Sequence, residues 1–186
     1  MLVALGACGA SDKPERAPAA PACPAGDVVV RVDEEAEALA RCTAIAGDLV
    51  VGPSFALGSL APLARIERIT GSLEIASNAA LGGVFLPGLR RVGGSVTVES
   101  NLSAETVSLH HLVDVGGDLT VRGNRGLMRL DLGALKVVKG RLEVSDHPVL
   151  ESVSFDALAI TGELAIDGNP AWPEADIAAL RSRVGR

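Results

Sequence analysis

Apolar and polar positions alternate over short runs that recur along the chain. Gly71, Leu73, Ile75 and Asn78 return as Gly94, Val96, Val98 and Asn101, and again as Gly117, Leu119, Val121 and Asn124. Weaker copies lie around Gly47, Gly140 and Gly162. The glycines are separated by 24, 23, 23, 23 and 22 residues. A period of this size marks a solenoid. Alternation of period two, as in Leu119, Thr120, Val121 and Arg122, places apolar side chains on one face of a strand. Each run predicts a strand of about five residues. No such strand buries its apolar face alone, so equivalent strands must stack side by side and parallel.

Between the strands the apolar positions fall mostly at steps of three. They are Leu81, Val84, Leu86, Leu89 and Val92 in one coil, and Leu127, Leu130, Leu132, Leu135 and Val138 two coils later. The following coil has Leu150, Val153, Phe155, Leu158 and Ile160. This spacing suits a bent chain that turns a side chain inward at each corner. The last coil is one residue short, and the deletion is expected just before Ile160. Asn78, Asn101, Asn124 and Asn169 form a second ladder, with His147 in the missing rung. Asn tolerates left-handed backbone and bonds nearby backbone groups. A ligand site is the functional reading of this ladder and a row of turns the structural one; spacing equal to the repeat favours turns.

The pattern I-x-G-x-L-x-I-x-x-N, preceded by L-x-x-L-x-x-I, resembles the receptor L-domain family from about Cys23 to the C-terminus. The resemblance implies a right-handed, single-stranded β-helix. Such domains occur in the ectodomains of insulin-type and epidermal-growth-factor-type receptors, in fungal cell-wall proteins and in bacterial surface proteins. Leucine-rich repeats share the Leu73, Ile75, Asn78 core. The glycine before the first Leu and the lack of a helix in each repeat favour the L-domain. The expected architecture is therefore an all-β, right-handed parallel solenoid of about six coils with a small helical cap at each end.

Composition agrees with a narrow aliphatic core. Hydrophobic residues make 48% of the 186, charged residues 22%, and the aromatics are three Phe, one Trp and no Tyr. Few aromatics remain for stacking on sugars or bases. The net charge of −6 makes nucleic acid an unsuitable partner.

Leu5, Gly6, Ala7 and Cys8 resemble a bacterial lipobox, with Cys8 the lipidated residue. The apolar run before it is short and lacks a basic residue, so a start upstream is expected; the alternative is a chance cysteine. Residues 1–7 then read as the remnant of a signal peptide and 8–22 as a Pro/Ala-rich tether. The domain spans 23–186, with an N-terminal cap at 23–44, coils at 45–170 and a helical cap at 171–186. With Cys8 assigned to lipid, Cys23 and Cys42 are left, and export favours a disulfide between them. The resemblance implies the same, since L-domains commonly open with a cysteine, a short helix and a second cysteine. Asp33 is expected to cap that helix, with Glu34, Glu35 and Glu37 in its first turn and an end near Arg41. At the other end Pro173 opens a helix whose apolar face is Ile177, Leu180 and Val184. Trp172 falls on the rung of Leu81, Leu127 and Leu150, as a core plug rather than a ligand platform.

No catalytic set is legible. His110 and His111 lie in an outer bend and His147 takes an Asn rung, so converging metal ligands are lacking. Neither a phosphate loop nor a nucleophile elbow is present. No cofactor, metal or catalytic residue is expected. Residues beside the inward Leu and Val must face solvent. Their first row is Asp48, Ser72, Ser95, Asp118, Arg141 and Glu163; the second is Val50, Glu74, Thr97, Thr120, Glu143 and Ala165; the third is Gly52, Ala76, Glu99, Arg122, Ser145 and Asp167. Seven carboxylates and two arginines make this face acidic. It reads either as a solvated face kept polar for solubility or as a docking face for a basic or polar partner. The candidates for docking are Asp48, Glu74, Thr97, Glu99, Asp118, Thr120, Arg122, Arg141, Glu143 and Glu163. The expected function is a non-catalytic binding module on a bacterial cell envelope. It is expected to be exported and lipid-anchored, facing periplasm or cell surface, and to recognise a protein or glycan. A purely structural envelope component is the alternative, and a β-helix polysaccharide-processing enzyme a more remote one. The resemblance adds that receptor L-domains bind ligands on their sheet faces.

Overall fold

A computed structural model describes residues 23–155, 158 and 160–184. Cys8, the signal remnant and the tether lie outside the described residues, as do Asp156, Ala157, Ala159, Gly185 and Arg186. The fold is an all-β parallel solenoid of about six turns with few helices. Among the described residues all strand pairings are parallel.

The coils from Arg68 to Asp131 each carry three strands rather than the single one expected, and the coil before them carries two and a 3-10 turn at Ala61–Leu63. The broad strip stacks Val28–Val30, Leu49–Val51, Leu73–Ala76, Val96–Glu99 and Leu119–Arg122, then the C-terminal halves of Val137–Ser145 and Ile160–Asp167. A short strip stacks Ala44–Ile45, Arg68–Ile69, Arg91–Val92 and Asp114–Val115 against the start of Val137–Ser145. A back strip holds Gly83–Phe85, Thr106–Ser108, Arg129–Asp131 and Ser152–Ser154. The extra strands are only two or three residues long. Each sends one apolar side chain inward, such as Val84 or Val92, so there is no alternation to read. The step of three records corners with short strands between them.

The broad strip is in register coil by coil. Leu49, Leu73, Val96, Leu119 and Leu142 align, as do Val51, Ile75, Val98, Val121 and Val144. All ten are buried. Val28–Val30 already stacks on Leu49–Val51, so the sheet begins inside the segment expected as a cap. Near the other end the deletion sits later than expected. Val137 pairs with Ile160 and Val138 with Thr161, whereas Arg141 pairs with Glu163. The missing residue is absorbed as a bulge at Lys139 and Gly140, after Ile160 rather than before it.

Cys23 and Cys42 form a disulfide with Cα atoms 5.6 Å apart. Helix α1 (Asp33–Glu37) is a single turn, shorter than predicted. Val32, not Asp33, is the N-cap residue. The Glu35 carboxylate takes the N–H groups of Arg31 and Val32 at 2.6 and 3.3 Å, which anchors the first turn from inside. Asp33 instead accepts the Gly58 N–H at 3.4 Å. Helix α2 (Glu174–Val184) packs on the strand Ile160–Asp167. Ile177 and Leu180 are buried, and so is Trp172, within the common core; the side chain of Val184 lies outside the described residues. The Trp172 N–H donates to the Asn169 carbonyl at 3.1 Å, as the Leu127 N–H donates to that of Asn124 at 3.1 Å. Trp172 therefore holds the leucine rung, as expected.

Candidate functional site

Two ladders of side chains run along the edges of the broad strip and define what remains exposed between them. The first runs along the edge where each strand begins. The Asp48 N–H donates to Asp27 Oδ1 (2.8 Å), Ser72 to Asp48 Oδ1 (2.7 Å), Ser95 to Ser72 Oγ (3.2 Å), Asp118 to Ser95 Oγ (3.1 Å) and Arg141 to Asp118 Oδ1 (2.8 Å). Each short polar side chain thus ties down the next coil's backbone. Asp48 and Asp118, candidates for the docking face, are instead held in this ladder. The same ladder explains the glycines. A Cβ on Gly71 would fall on Asp48 Oδ1, on Gly94 on Ser72 Oγ, and on Gly140 on Asp118 Oδ1. Asp27, which starts the ladder, was missed because the glycine repeat begins only at Gly47. Arg141 offers no acceptor and ends it.

The second ladder is buried. Asn78, Asn101, Asn124 and His147 are wholly inaccessible and Asn169 nearly so. Asn101 Nδ2 donates to the Ile75 carbonyl (2.9 Å) and to Asn124 Oδ1 (3.1 Å), while its own Oδ1 takes the N–H and Nδ2 of Asn78 at 3.2 and 2.9 Å. Asn124 Nδ2 reaches the Val98 carbonyl and Asn169 Nδ2 that of Val144. This is the turn ladder predicted, with one correction. The left-handed residue is not the Asn but the one before it, namely Ser77, Ser100, Gly123, Asp146 and Gly168, with φ between 54° and 66°. The Asn side chain turns inward, and those of Asn78 and Asn101 each join three coils. Asn78 Oδ1, at the upper end, is buried without a partner.

His147 takes the rung as the neutral ring protonated on Nε2, with Nδ1 also 3.3 Å from the Asn124 carbonyl. Its Nδ1 accepts the Asn124 N–H at 3.3 Å, and Nε2–H donates to the Val121 carbonyl at 3.1 Å; the network assigns this tautomer. Burial pushes its pKa below the ordinary histidine value, outweighing the opposing pulls of the Asn124 and Val121 carbonyls and of Asp146. A depressed folded-state pKa means that the folded chain binds fewer protons than the unfolded one below about pH 6.5. This contribution is complete above that pH and is lost as pH falls. Melting temperature should drop between pH 7.5 and 5.5 more steeply in the wild type than in His147→Asn, which restores an amide rung. Equal slopes in paired melts would remove His147 as the cause.

Between the ladders, Val50, Glu74, Thr97, Thr120, Glu143 and Ala165 align in register. Glu74 is exposed, and Thr97, Thr120 and Glu143 are half-buried. The third row is thinner than expected. Gly52, Ala76 and Ser145 are buried against the Asn corner, which leaves Glu99, Arg122 and Asp167. Two of the acids are paired. Arg122 Nη2 lies 2.7 Å from Glu99 Oε2, and Arg141 Nε 3.6 Å from Glu143 Oε2. The Glu99 hydrogen bond and charge raise the Arg122 pKa. Exposed pairs of this kind stabilise little, but they soften the negative field. Glu163, opposite Arg141, is exposed. An exposed aromatic was overlooked in the sequence. Phe55, 90% exposed, follows Ser54, which bridges to Asn78 at the corner of this strip.

The remaining histidines do not converge on a centre. His111 Nδ1–H donates to the Pro87 carbonyl (2.6 Å), and His110 Nδ1 shares a hydrogen bond with Ser108 Oγ (3.0 Å). Among the described residues no group of three or more His, Cys, Asp or Glu is placed to hold a metal ion, and no helix is long and apolar enough to cross a membrane.

The solenoid thus leaves one outward strip between two hydrogen-bonded edges. Residues 41–146, more than half of the chain, match the family model for the receptor L domain. The protein belongs to that family, whose domains are of a ligand-binding rather than a catalytic type. No curated protein and no solved structure matches it.

Proposed function

We propose that this protein is a lipid-anchored, exported binding module of a bacterial envelope, whose broad strip docks a protein or glycan partner. In this reading the solenoid is right-handed, α1 and α2 seal its two ends, and Cys8 carries the lipid. The Cys23–Cys42 disulfide supports an oxidising compartment. Intact-mass analysis of chain extracted from bacterial membranes should find Cys8 acylated and N-terminal; an unmodified soluble chain would exclude the anchor.

The observation that carries the docking surface is the in-register strip of Glu74, Thr97 and Thr120. None of their side chains is used in either ladder, although they occupy the centre of the face. Phe55 at its corner supplies the kind of anchor on which binding energy concentrates. The expected partner is polar or basic, and its binding weakens with salt, because exposed charges are screened over about 8 Å at physiological ionic strength. Glu74→Lys/Thr97→Lys/Thr120→Lys, which leaves both ladders intact, should lose partners that the wild type captures from envelope extract at low salt. Phe55→Ala should weaken the same capture. Identical recovery by all three proteins at low and high salt would move the interface elsewhere.

A further inference from the structure

The short strip has the opposite electrostatic character. Arg68 and Arg91 align directly on adjacent coils, a like-charge pairing that is unfavourable across a sheet. Asp114, next in the same row, neutralises only one of them, with Arg91 Nε 3.3 Å from its Oδ2. Among the described residues Arg68 and Lys139 have no ion-pair partner. These residues line a shallow groove of about 430 Å³. It adjoins a second depression of about 350 Å³, bordered by Arg68, Arg90, Arg91 and Glu67. Four cations against two carboxylates thus sit one glycine bend away from the acidic broad strip.

We infer that this groove is a second, independent binding site for a linear acidic polysaccharide lying along the solenoid axis. The cations are distributed along that axis. Arg68 and Lys139 are three coils apart, roughly 14 Å at strand spacing, so a single small anion cannot engage both. A row of carboxylates or sulfates on an extended chain can. Apart from half-buried Val137, the outward residues of the groove are charged, small or hydroxylic. They offer no apolar anchor to a protein partner. Duplex nucleic acid is disfavoured, because its wide, densely charged surface would overlie the neighbouring acidic strip. A single sugar chain is narrow enough to stay in the groove.

The test is affinity electrophoresis of the full chain in gels containing polygalacturonate, with neutral dextran as control. Wild type should be retarded by polygalacturonate and not by dextran, and less so as salt rises. Arg68→Ser/Lys139→Ser, both exposed and outside the ladders, should weaken retardation by about tenfold, the equivalent of about 1.4 kcal/mol. Arg68→Lys should retain it. The Glu74→Lys/Thr97→Lys/Thr120→Lys protein should bind polygalacturonate at least as well as wild type, which separates this site from the broad strip. No retardation, equal retardation of wild type and the serine variant, or tighter binding to duplex DNA or phosphatidylglycerol vesicles would each overturn the inference.

Discussion

Asn101→Ala should lower stability by about 3–5 kcal/mol, enough on its own to threaten the fold of a domain whose total margin is of order 5–15 kcal/mol. Asn101 sits in the middle of the buried ladder. Its removal strands the buried Asn78 N–H and takes one hydrogen bond each from the Ile75 carbonyl, Asn124 Oδ1 and Asn78 Nδ2, bonds worth about 0.5–1.5 kcal/mol apiece. Each buried group left unpaired costs about 1–3 kcal/mol. Water has no route to replace the amide, since Asn78, Asn101 and Asn124 are all wholly inaccessible. For a domain of this size the melting temperature should fall by roughly 2–4 °C per kcal/mol. Asn101→Asp should be no better at neutral pH, because a carboxylate cannot donate to Ile75. Paired urea and thermal melts check both variants. A loss under about 1 kcal/mol would mean that the ladder amides are not the bonds that lock the coils.

Gly71→Ala should cost about 2–3 kcal/mol, near the upper range for forcing an extra carbon into a packed site. The added Cβ would fall on Asp48 Oδ1 and within 2.7 and 2.8 Å of the Gly47 carbonyl carbon and oxygen. The Asp48 carboxylate can rotate away only by releasing the Ser72 N–H, and the Gly47 backbone cannot move without shifting its coil. Asp48→Ala loses the same rung by another route. The double variant should therefore be less destabilised than the sum of the singles, since both remove one hydrogen bond. Strict additivity in denaturant melts would show that glycine and carboxylate are not coupled.

The glycine and asparagine periods, read from the residues alone, establish a parallel solenoid with its Leu and Val facing inward. Those features are repeated in the chain and enforced by local alternation, and a slip of one residue would turn the apolar set to solvent. The resemblance to receptor L domains rests on the same residues, and residues 41–146 match that family. What the sequence left hidden depends on contacts about 23 residues away. The glycines look like bends but are vacant because an Asp or Ser of the preceding coil fills the space. Asp48 and Asp118 look like surface charge but hold backbone N–H groups. The two-residue strands at Arg68 and Arg91 carry no alternation, so the basic groove became visible only once the coils were stacked. The bulge at Lys139 and Gly140 was likewise decided by pairing between coils. A linear pattern specifies which way each side chain points within a coil. Only stacking decides what that side chain meets, because every lateral neighbour belongs to another turn of the helix.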